Sequence, residues 1–437
     1  MQRADELAVA RCAMTRTGAR LMVVSLPHWD SFDFRVQASR VFLALAFAEL
    51  YSENLDGRQI GADDLRRART LLARFPGSKP RQVIYPHALE DYFCGISGVL
   101  FLGQNGYEPL LAHELRELGL ATRETGPGWV LAGPPPHPAQ TRWLDDLCFP
   151  HFTLLLPQEI RSDSVNALAQ QLAQFFFESL RGEAIGETWH CVFLSAAELP
   201  GLGRRVAAVE KAFNEILKKK LARVARLATP VLPPGRGCIR GLIVYFADFG
   251  RIFAAREVWR GGQRRMSDDP LAPSRSYLKV EEAYVVMGRE PAPGETVCDL
   301  GASPGGWSYS AARRGARVLA VDNGPLKGGA LDNALIEHRR EDAFRYAPAA
   351  GRVFNWMFCD LVEEPHHVLK DLVTPWLEAG WCRRFVVNFK FGRTDALALL
   401  REARAAGSPL VLHAKDLNIR HLYHDREEFT ITGEVQR

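Results

Sequence analysis

Asp299-Leu-Gly-Ala-Ser-Pro-Gly-Gly-Trp307 closes one apolar run, and a second apolar run ends at Asp322 in Ala-Val-Asp-Asn-Gly. Short apolar runs stopped by a glycine turn or an acid read as buried strands with their polar residues at the carboxyl end. Gly301, Gly305 and Gly306 let the backbone turn tightly and approach a ligand closely. Asp299 is placed to orient the turn or to meet an amino group. Asp322, about 20 residues on, adds the acceptor pair that ribose hydroxyls need. Asp342 follows Arg339-Arg-Glu341, where a third strand should end, and is placed to accept from an adenine amino group. Together these residues suit an adenosine-bearing cofactor. Pro304 stands inside the turn, where a dinucleotide fingerprint carries an ordinary residue. S-adenosyl-L-methionine therefore fits better than NAD, and a methyltransferase is expected.

Four further ionisable residues stand at positions that aim into the same crevice. They are Lys279 in SRSYLKVEEA, Asp360 in FCDLVEEP, Lys390 in VNFKFG and Glu427 in LYHDREEF. Asp360 and Lys390 each follow an apolar strand directly. Two amines and two carboxylates have a use if the nucleophile is a ribose 2′-hydroxyl, which must lose its proton as it attacks. A lysine accepts that proton only when neutral. Moving its pKa from about 10.4 to about 7.5 takes roughly 4 kcal/mol of differential environment. Lys279 and a neighbouring cationic cofactor favour that loss of charge. Asp360 opposes it, so its expected role is to orient Lys390 or hold a water.

The elements that must position these residues can be read from the same sequence. From Ser274 onward, apolar strands (296–300, 318–321, 356–359, 385–389 and 429–431) alternate with helical segments. That rhythm predicts an α/β, Rossmann-like fold with a mostly parallel sheet covered on both faces. Ligands of such sheets lie beyond the carboxyl ends of the strands. Two smaller α/β stretches precede it. One has strands over 98–103 and 129–132 around a helix over 108–118. The other has strands over 152–156, 190–194 and 242–246 and helices over 165–180 and 204–226. Residues 1 to 88 are the least legible, with a strand expected over 21–26 and helices over 41–51 and 63–74.

Composition bounds the rest. The chain has 437 residues, 47% hydrophobic and 24% charged, with a net charge of +4. These values are ordinary for water-soluble domains. Charge is unevenly spread: Arg204, Arg205, Lys211, Lys218, Lys219, Lys220, Arg223 and Arg226 face only Glu210 and Glu215 in the same segment. Val209, Phe213, Ile216, Leu217, Leu221 and Val224 mark its apolar face at helical spacing. A basic stripe on a near-neutral body points to an anionic partner such as RNA. The eight cysteines form no C-x-x-C pair, so no metal or redox site is expected, and reduced thiols imply a cytoplasmic protein. The longest apolar run, 41–48, is too short to span a bilayer.

The C-terminal region resembles the FtsJ-type ribose 2′-O-methyltransferases, and more closely the RlmM-type enzymes among them. The resemblance rests on APSRSYLKVEEA, DLGASPGGWSY, VDNGP, REDAF, CDLVEEP, AGWCR, NFK and LYHDREE. It implies methylation of a cytidine ribose in 23S ribosomal RNA, with a catalytically silent RNA-binding or ribosome-assembly protein, or a methyltransferase of another RNA, as alternatives. It also implies a Lys279–Asp360–Lys390–Glu427 tetrad with Lys390 as proton acceptor; Glu428, beside Glu427, is the other choice for the acid. Ser276, Ser303, Pro304, Gly305, Gly306, Asp322, Asp342 and Asp360 would bind S-adenosylmethionine, with Asp299, Gly301 and Trp307 completing the turn. Ser303 departs from the cysteine expected there. The resemblance further implies a ferredoxin-like unit at 89–160 and a THUMP-like RNA-binding domain at 161–270, before the methyltransferase domain at 271–437.

Overall fold

The computed structural model describes residues 9–14, 20–25, 98–134, 142–180, 182–196 and 199–436. The chain divides into two bodies, Met1–Leu89 and Glu90–Arg437. In the first, β1 (Val9–Met14) and β2 (Arg20–Ser25) form an antiparallel pair. β2 takes the place of the strand expected over 21–26. The helices expected over 41–51 and 63–74 lie outside the described residues.

In the second body, one sheet gathers the strands between residues 99 and 260. Its strands are β3 (Val99–Leu102), β4 (Thr122–Gly126), β5 (Trp129–Ala132), β6 (Phe152–Leu155), β7 (Gln158–Arg161), β8 (Trp189–Ser195), β9 (Ala228–Thr229), β10 (Gly237–Phe246) and β11 (Arg251–Arg260). Their order is β4-β5-β3-β6-β11-β10-β8-β9, with β7 also on β11. The boundary expected at residue 160 therefore falls inside a continuous sheet, because β6 pairs with β3 on one side and β11 on the other. The long strand β11 was not anticipated: arginines at 251, 256 and 260 interrupt its apolar pattern. Their guanidiniums are buried against carboxylates and carbonyls, as where Arg251 meets Glu159 at 2.8 Å.

Helices α1 (Glu108–Glu117), α2 (Val165–Ser179), α3 (Leu202–Lys220) and α4 (Ala222–Leu227) cover this sheet. Ser164 caps α2 by accepting from the Ala167 amide at 3.3 Å, as a serine at that position should. α3 and α4 carry the basic segment, which is broken at Leu221 rather than continuous. Val209, Phe213 and Leu217, spaced four apart, are fully buried. Each contributes on the order of 2 kcal/mol from burial. The other half of the helix stays in water.

The C-terminal sheet holds β12 (Thr296–Leu300), β13 (Arg317–Val321), β14 (Ile336–Arg339), β15 (Phe354–Cys359), β16 (Cys382–Lys390), β17 (Ala414–Arg420) and β18 (Glu428–Val435). The order β14-β13-β12-β15-β16-β18-β17 has its first five strands parallel and β18 and β17 antiparallel to their neighbours. Near-continuous apolar runs in β12, β15 and β16 suit burial on both faces. α5 (Tyr277–Met287) and α6 (Gly306–Arg313) pack on one face. The two sheets are tied together by Glu114 of α1. It accepts from the Cys148 amide at 2.8 Å and pairs with Arg404 at 3.1 Å.

Candidate active site

The turn after β12 is built as a cradle. Gly301 has φ +79°, and a Cβ there would lie 2.3 Å from the Leu361 side chain. Gly305 caps α6 at φ +104°, with Ala330 Cβ 2.6 Å from any added Cβ. A Cβ on Gly306 would meet Ser276 Oγ at 2.7 Å. Only glycine fits all three positions. The same contacts join the turn to its neighbours: Leu361 follows Asp360, and Ser276 precedes Lys279 by less than one helical turn.

Asp322 ends β13, as expected. Its two oxygens accept from the Ser303 amide at 2.9 Å and the Gly324 amide at 2.6 Å, closing one loop against the other. Ser303 Oγ donates to Pro325 O at 3.0 Å, so the serine at this position holds the two loops together. Asp342 accepts from the Phe344 amide at 3.0 Å and stays half-buried after β14. Asp299 is 1% exposed and accepts from Ser308 Oγ at 2.6 Å. Burial pushes its carboxyl up to about 7, and its bond from Ser308 braces α6, the turn-orienting role among the two expected. Trp307 is likewise packed into the fold. Its ring is 2% exposed and packs edge-on to Phe358, and only its Nε1, donating to Ser276 O at 2.9 Å, reaches toward the site.

Beyond the carboxyl ends of β15 and β16, four charges converge. Lys390 Nζ donates to Asp360 Oδ1 and Glu428 Oε2, and to Asn388 Oδ1 at 2.5 Å. Lys279 Nζ lies 2.6 Å from Glu428 Oε1 and 3.5 Å from Asp360 Oδ1. The side chains are 12%, 15%, 20% and 7% exposed for Lys279, Asp360, Lys390 and Glu428, so water screens these pairs far less than surface ones. The structure thus brings together three of the four expected residues and, of the two acids open for the fourth place, Glu428. Glu427 is exposed, while Glu428 bridges both lysines. The cause is strand parity. Glu428 lies opposite Lys390 in the β16–β18 register, and Glu427 points to the other side.

The expected fall in the Lys390 pKa is not present in this arrangement. Burial opposes its charge, but the Asp360 and Glu428 carboxylates and their hydrogen bonds outweigh that, and the ammonium is held more firmly than usual. Burial likewise works against ionised Glu428, yet the two lysines pull its carboxyl below the ordinary range.

Sequence reasoning passed over Asn388 and Asp425, 1% exposed each, and Glu282, which is fully buried. Asn388 Nδ2 donates to Asp425 Oδ1 at 3.2 Å. Glu282 accepts from the backbone amides of Arg264 and Tyr423 at 3.0 Å and His424 at 3.2 Å, fixing the loop before β18 to α5. A single polar residue inside V-V-N-F was the available signal for Asn388.

Residues 272–378 match the FtsJ-like methyltransferase family, a stretch that includes Lys279 and Asp360. "Ribosomal RNA large subunit methyltransferase M" of Stenotrophomonas maltophilia strain R551-3 is 33% identical over 376 residues, covering 78% of this chain and 98% of the relative. The protein of the same name from Xylella fastidiosa strain M12 is 33% identical over 366 residues, covering 77% of this chain and 98% of that one. The chain belongs to the ribosomal RNA large subunit methyltransferase M family. It is therefore an S-adenosylmethionine-dependent methyltransferase. The glycine turn stands at the carboxyl end of β12 beside Ser276 and Asp322, the end of the sheet where ligands of such folds bind. The basic residues sit apart from the cluster, on α3 and α4. Arg204, Lys211, Lys218, Lys219, Lys220, Arg223 and Arg226 are exposed. Arg205 instead donates to Phe249 O at 2.9 Å and holds a neighbouring loop. Among the described residues, no helix is long and apolar enough to cross a membrane.

Proposed function

We propose that this protein methylates a ribose 2′-oxygen in large-subunit ribosomal RNA, with a cytidine of 23S RNA as the target nucleotide, in the cytoplasm. The observation that carries the reading is the convergence of Lys279, Asp360, Lys390 and Glu428 beside the glycine cradle. Base methylation at a ring nitrogen needs no strong proton acceptor, whereas a ribose hydroxyl does.

Gly301, Gly305, Gly306, Ser276, Ser303, Pro304 and Asp342 would border the cofactor, with Asp322 on its ribose. S-adenosylmethionine, when bound, supplies a methyl group on a positively charged sulfur. Lys390 Nζ takes the proton of the 2′-hydroxyl. It becomes a base by releasing its own ammonium proton to solvent, which is easier once a further positive charge lies beside the cluster. Asp360 and Glu428 hold the amine in place, and Lys279 balances the second carboxylate. Positioning of this kind accounts for much of the rate. The intact cluster argues against the silent RNA-binding alternative.

The sheet of β3–β11 is read as the ferredoxin-like and THUMP-like part, and the exposed lysines of α3 as its contact with RNA phosphates. The experiment is transfer of a tritiated methyl group from S-adenosylmethionine to ribosomal RNA. Wild type labels RNA, and Lys390→Ala falls at least about 100-fold. Equal labelling by both proteins rejects Lys390 as the base.

A further inference from the structure

We infer that Asp425 is a positioning residue for Lys390, acting through Asn388 and Thr430 to fix which atom of the Asn388 amide faces the amine. The inference rests on the reading of Lys390 as proton acceptor.

The geometry allows one arrangement of donors and acceptors. An ammonium only donates and a carboxylate only accepts. Lys390 Nζ donates to Asn388 Oδ1 at 2.5 Å. The Asn388 amide nitrogen must then face the other way, where it donates to Asp425 Oδ1 at 3.2 Å and Thr430 Oγ1 at 3.1 Å. Thr430 Oγ1 can accept there because its own proton goes to Asp425, whose oxygens lie 3.2 and 3.1 Å away. The Leu422 amide, 2.9 Å from Asp425 Oδ2, supplies one more donor. The ammonium fixes the Asn388 oxygen on one side, and Asp425, accepting only, fixes the amide nitrogen, the Thr430 hydroxyl and the Leu422 amide on the other.

The residue is also held from outside. Its loop is fastened by the Glu282 carboxylate, and Gln104, from the loop after β3, donates to the Asp425 carbonyl at 3.3 Å. A carboxylate so placed needs a reason. It is 1% exposed and has no ion-pair partner within 4 Å among the described residues, which is costly for a charge. The ionisable groups that face it are Glu428 from β18, Lys390 from β16, Lys279 and Glu282 from α5, Tyr107 before α1 and Cys148. Burial and then Glu428 raise its pKa, and the two lysines restrain the rise. Below that titration the carboxyl carries a proton it can donate, and the single direction is lost.

Asp425→Asn keeps the shape and removes the pure acceptor. The new amide can present its NH2 to Asn388 and Thr430, freeing Asn388 to turn its own NH2 toward Lys390. Steady-state methyl transfer at pH 8 and nitrogen-15 NMR titration of the lysine amines in the unliganded protein test this. The expected result is a kcat lowered about 10-fold or more, because the loss of the amine's fixed orientation outweighs its easier deprotonation, an S-adenosylmethionine KM within about twofold, and a Lys390 titration lower than in wild type. Thr430→Val, which leaves the carboxylate in place, lowers kcat severalfold in the same direction. An unchanged Lys390 titration with wild-type kcat overturns the inference. So does a parallel loss of kcat, cofactor binding and melting temperature, which marks a merely structural residue. Full activity of Lys390→Ala overturns the base reading and this inference together. Inactive Lys390→Ala with fully active Asp425→Asn overturns this inference alone.

Discussion

Lys390 and Glu428 stand directly opposite each other in the antiparallel pair β16–β18, and Lys279 reaches the same carboxylate from a helix more than 100 residues upstream. One carboxylate thus holds two amines. Removing it leaves two buried cations with only Asp360 between them, which is strongly unfavourable. Glu428→Gln is expected to lower methyl transfer about 100-fold. Glu427→Gln, on the exposed side of the same loop, stays within about threefold because nothing in the cluster depends on it. Comparing kcat for the two variants checks the assignment.

The cradle makes a steric prediction. Gly305→Ala places a Cβ 2.6 Å from Ala330 at φ +104°, so it strains the backbone and crowds the turn. The expected cost is about 1–3 kcal/mol of stability and a tenfold or greater loss in S-adenosylmethionine affinity by calorimetry. Gly288→Ala is the control. Its φ is also positive, at +67°, but an added Cβ meets nothing within 4 Å, so stability falls while cofactor affinity holds.

Asp299 should give the fold a pH dependence of definite sign. Its folded pKa is raised to about 7, while the unfolded value is about 3.9. The folded state therefore binds the proton more tightly. Ionisation costs stability progressively as pH rises from about 4 to about 7, with no further loss above that. Asp299→Asn still accepts from Ser308 and has no charge to bury. Melting temperatures of wild type and variant should diverge in the variant's favour between pH 4.5 and 8. A constant difference contradicts the assignment.

Lys218, Lys219 and Lys220 sit in the last turn of α3, where a helix C-terminus favours cations whatever their other role. An RNA contact adds a salt dependence. Changing all three to alanine should weaken RNA binding and flatten the plot of log affinity against log salt by about 0.7–0.9 per lost phosphate contact. Arg205→Ala serves as the contrast. Its guanidinium is occupied by protein carbonyls, so thermal stability falls and the salt slope does not change.

The methyltransferase sheet was legible because parallel strands buried on both faces read as apolar runs, each closed by a chemically telling residue. The N-terminal sheet was less so. β11 carries buried arginines that break its apolar pattern, and β4 has a largely exposed face. The site was legible wherever a residue sits at a strand end. It left Glu427 and Glu428 undecided because adjacent acids are separated only by which side of β18 they face. The alternation Glu428-Phe-Thr430-Ile-Thr432, in phase with Asn388 and Lys390 on β16, carried that answer. Glu282 was invisible because its partners are backbone amides, two of them far off in sequence, and Asp425 because it meets only amide and hydroxyl donors and no opposite charge.

The most direct test of ribose methylation is alkaline hydrolysis of RNA labelled by the purified protein. A 2′-O-methyl group removes the hydroxyl that attacks the adjacent phosphate, so the phosphodiester beside it survives. The account predicts that the label is recovered in alkali-stable dinucleotides, and that Lys390→Ala yields almost none. Recovery of the label in mononucleotides would place the methyl on a base and contradict the role given to the Lys279–Asp360–Lys390–Glu428 cluster.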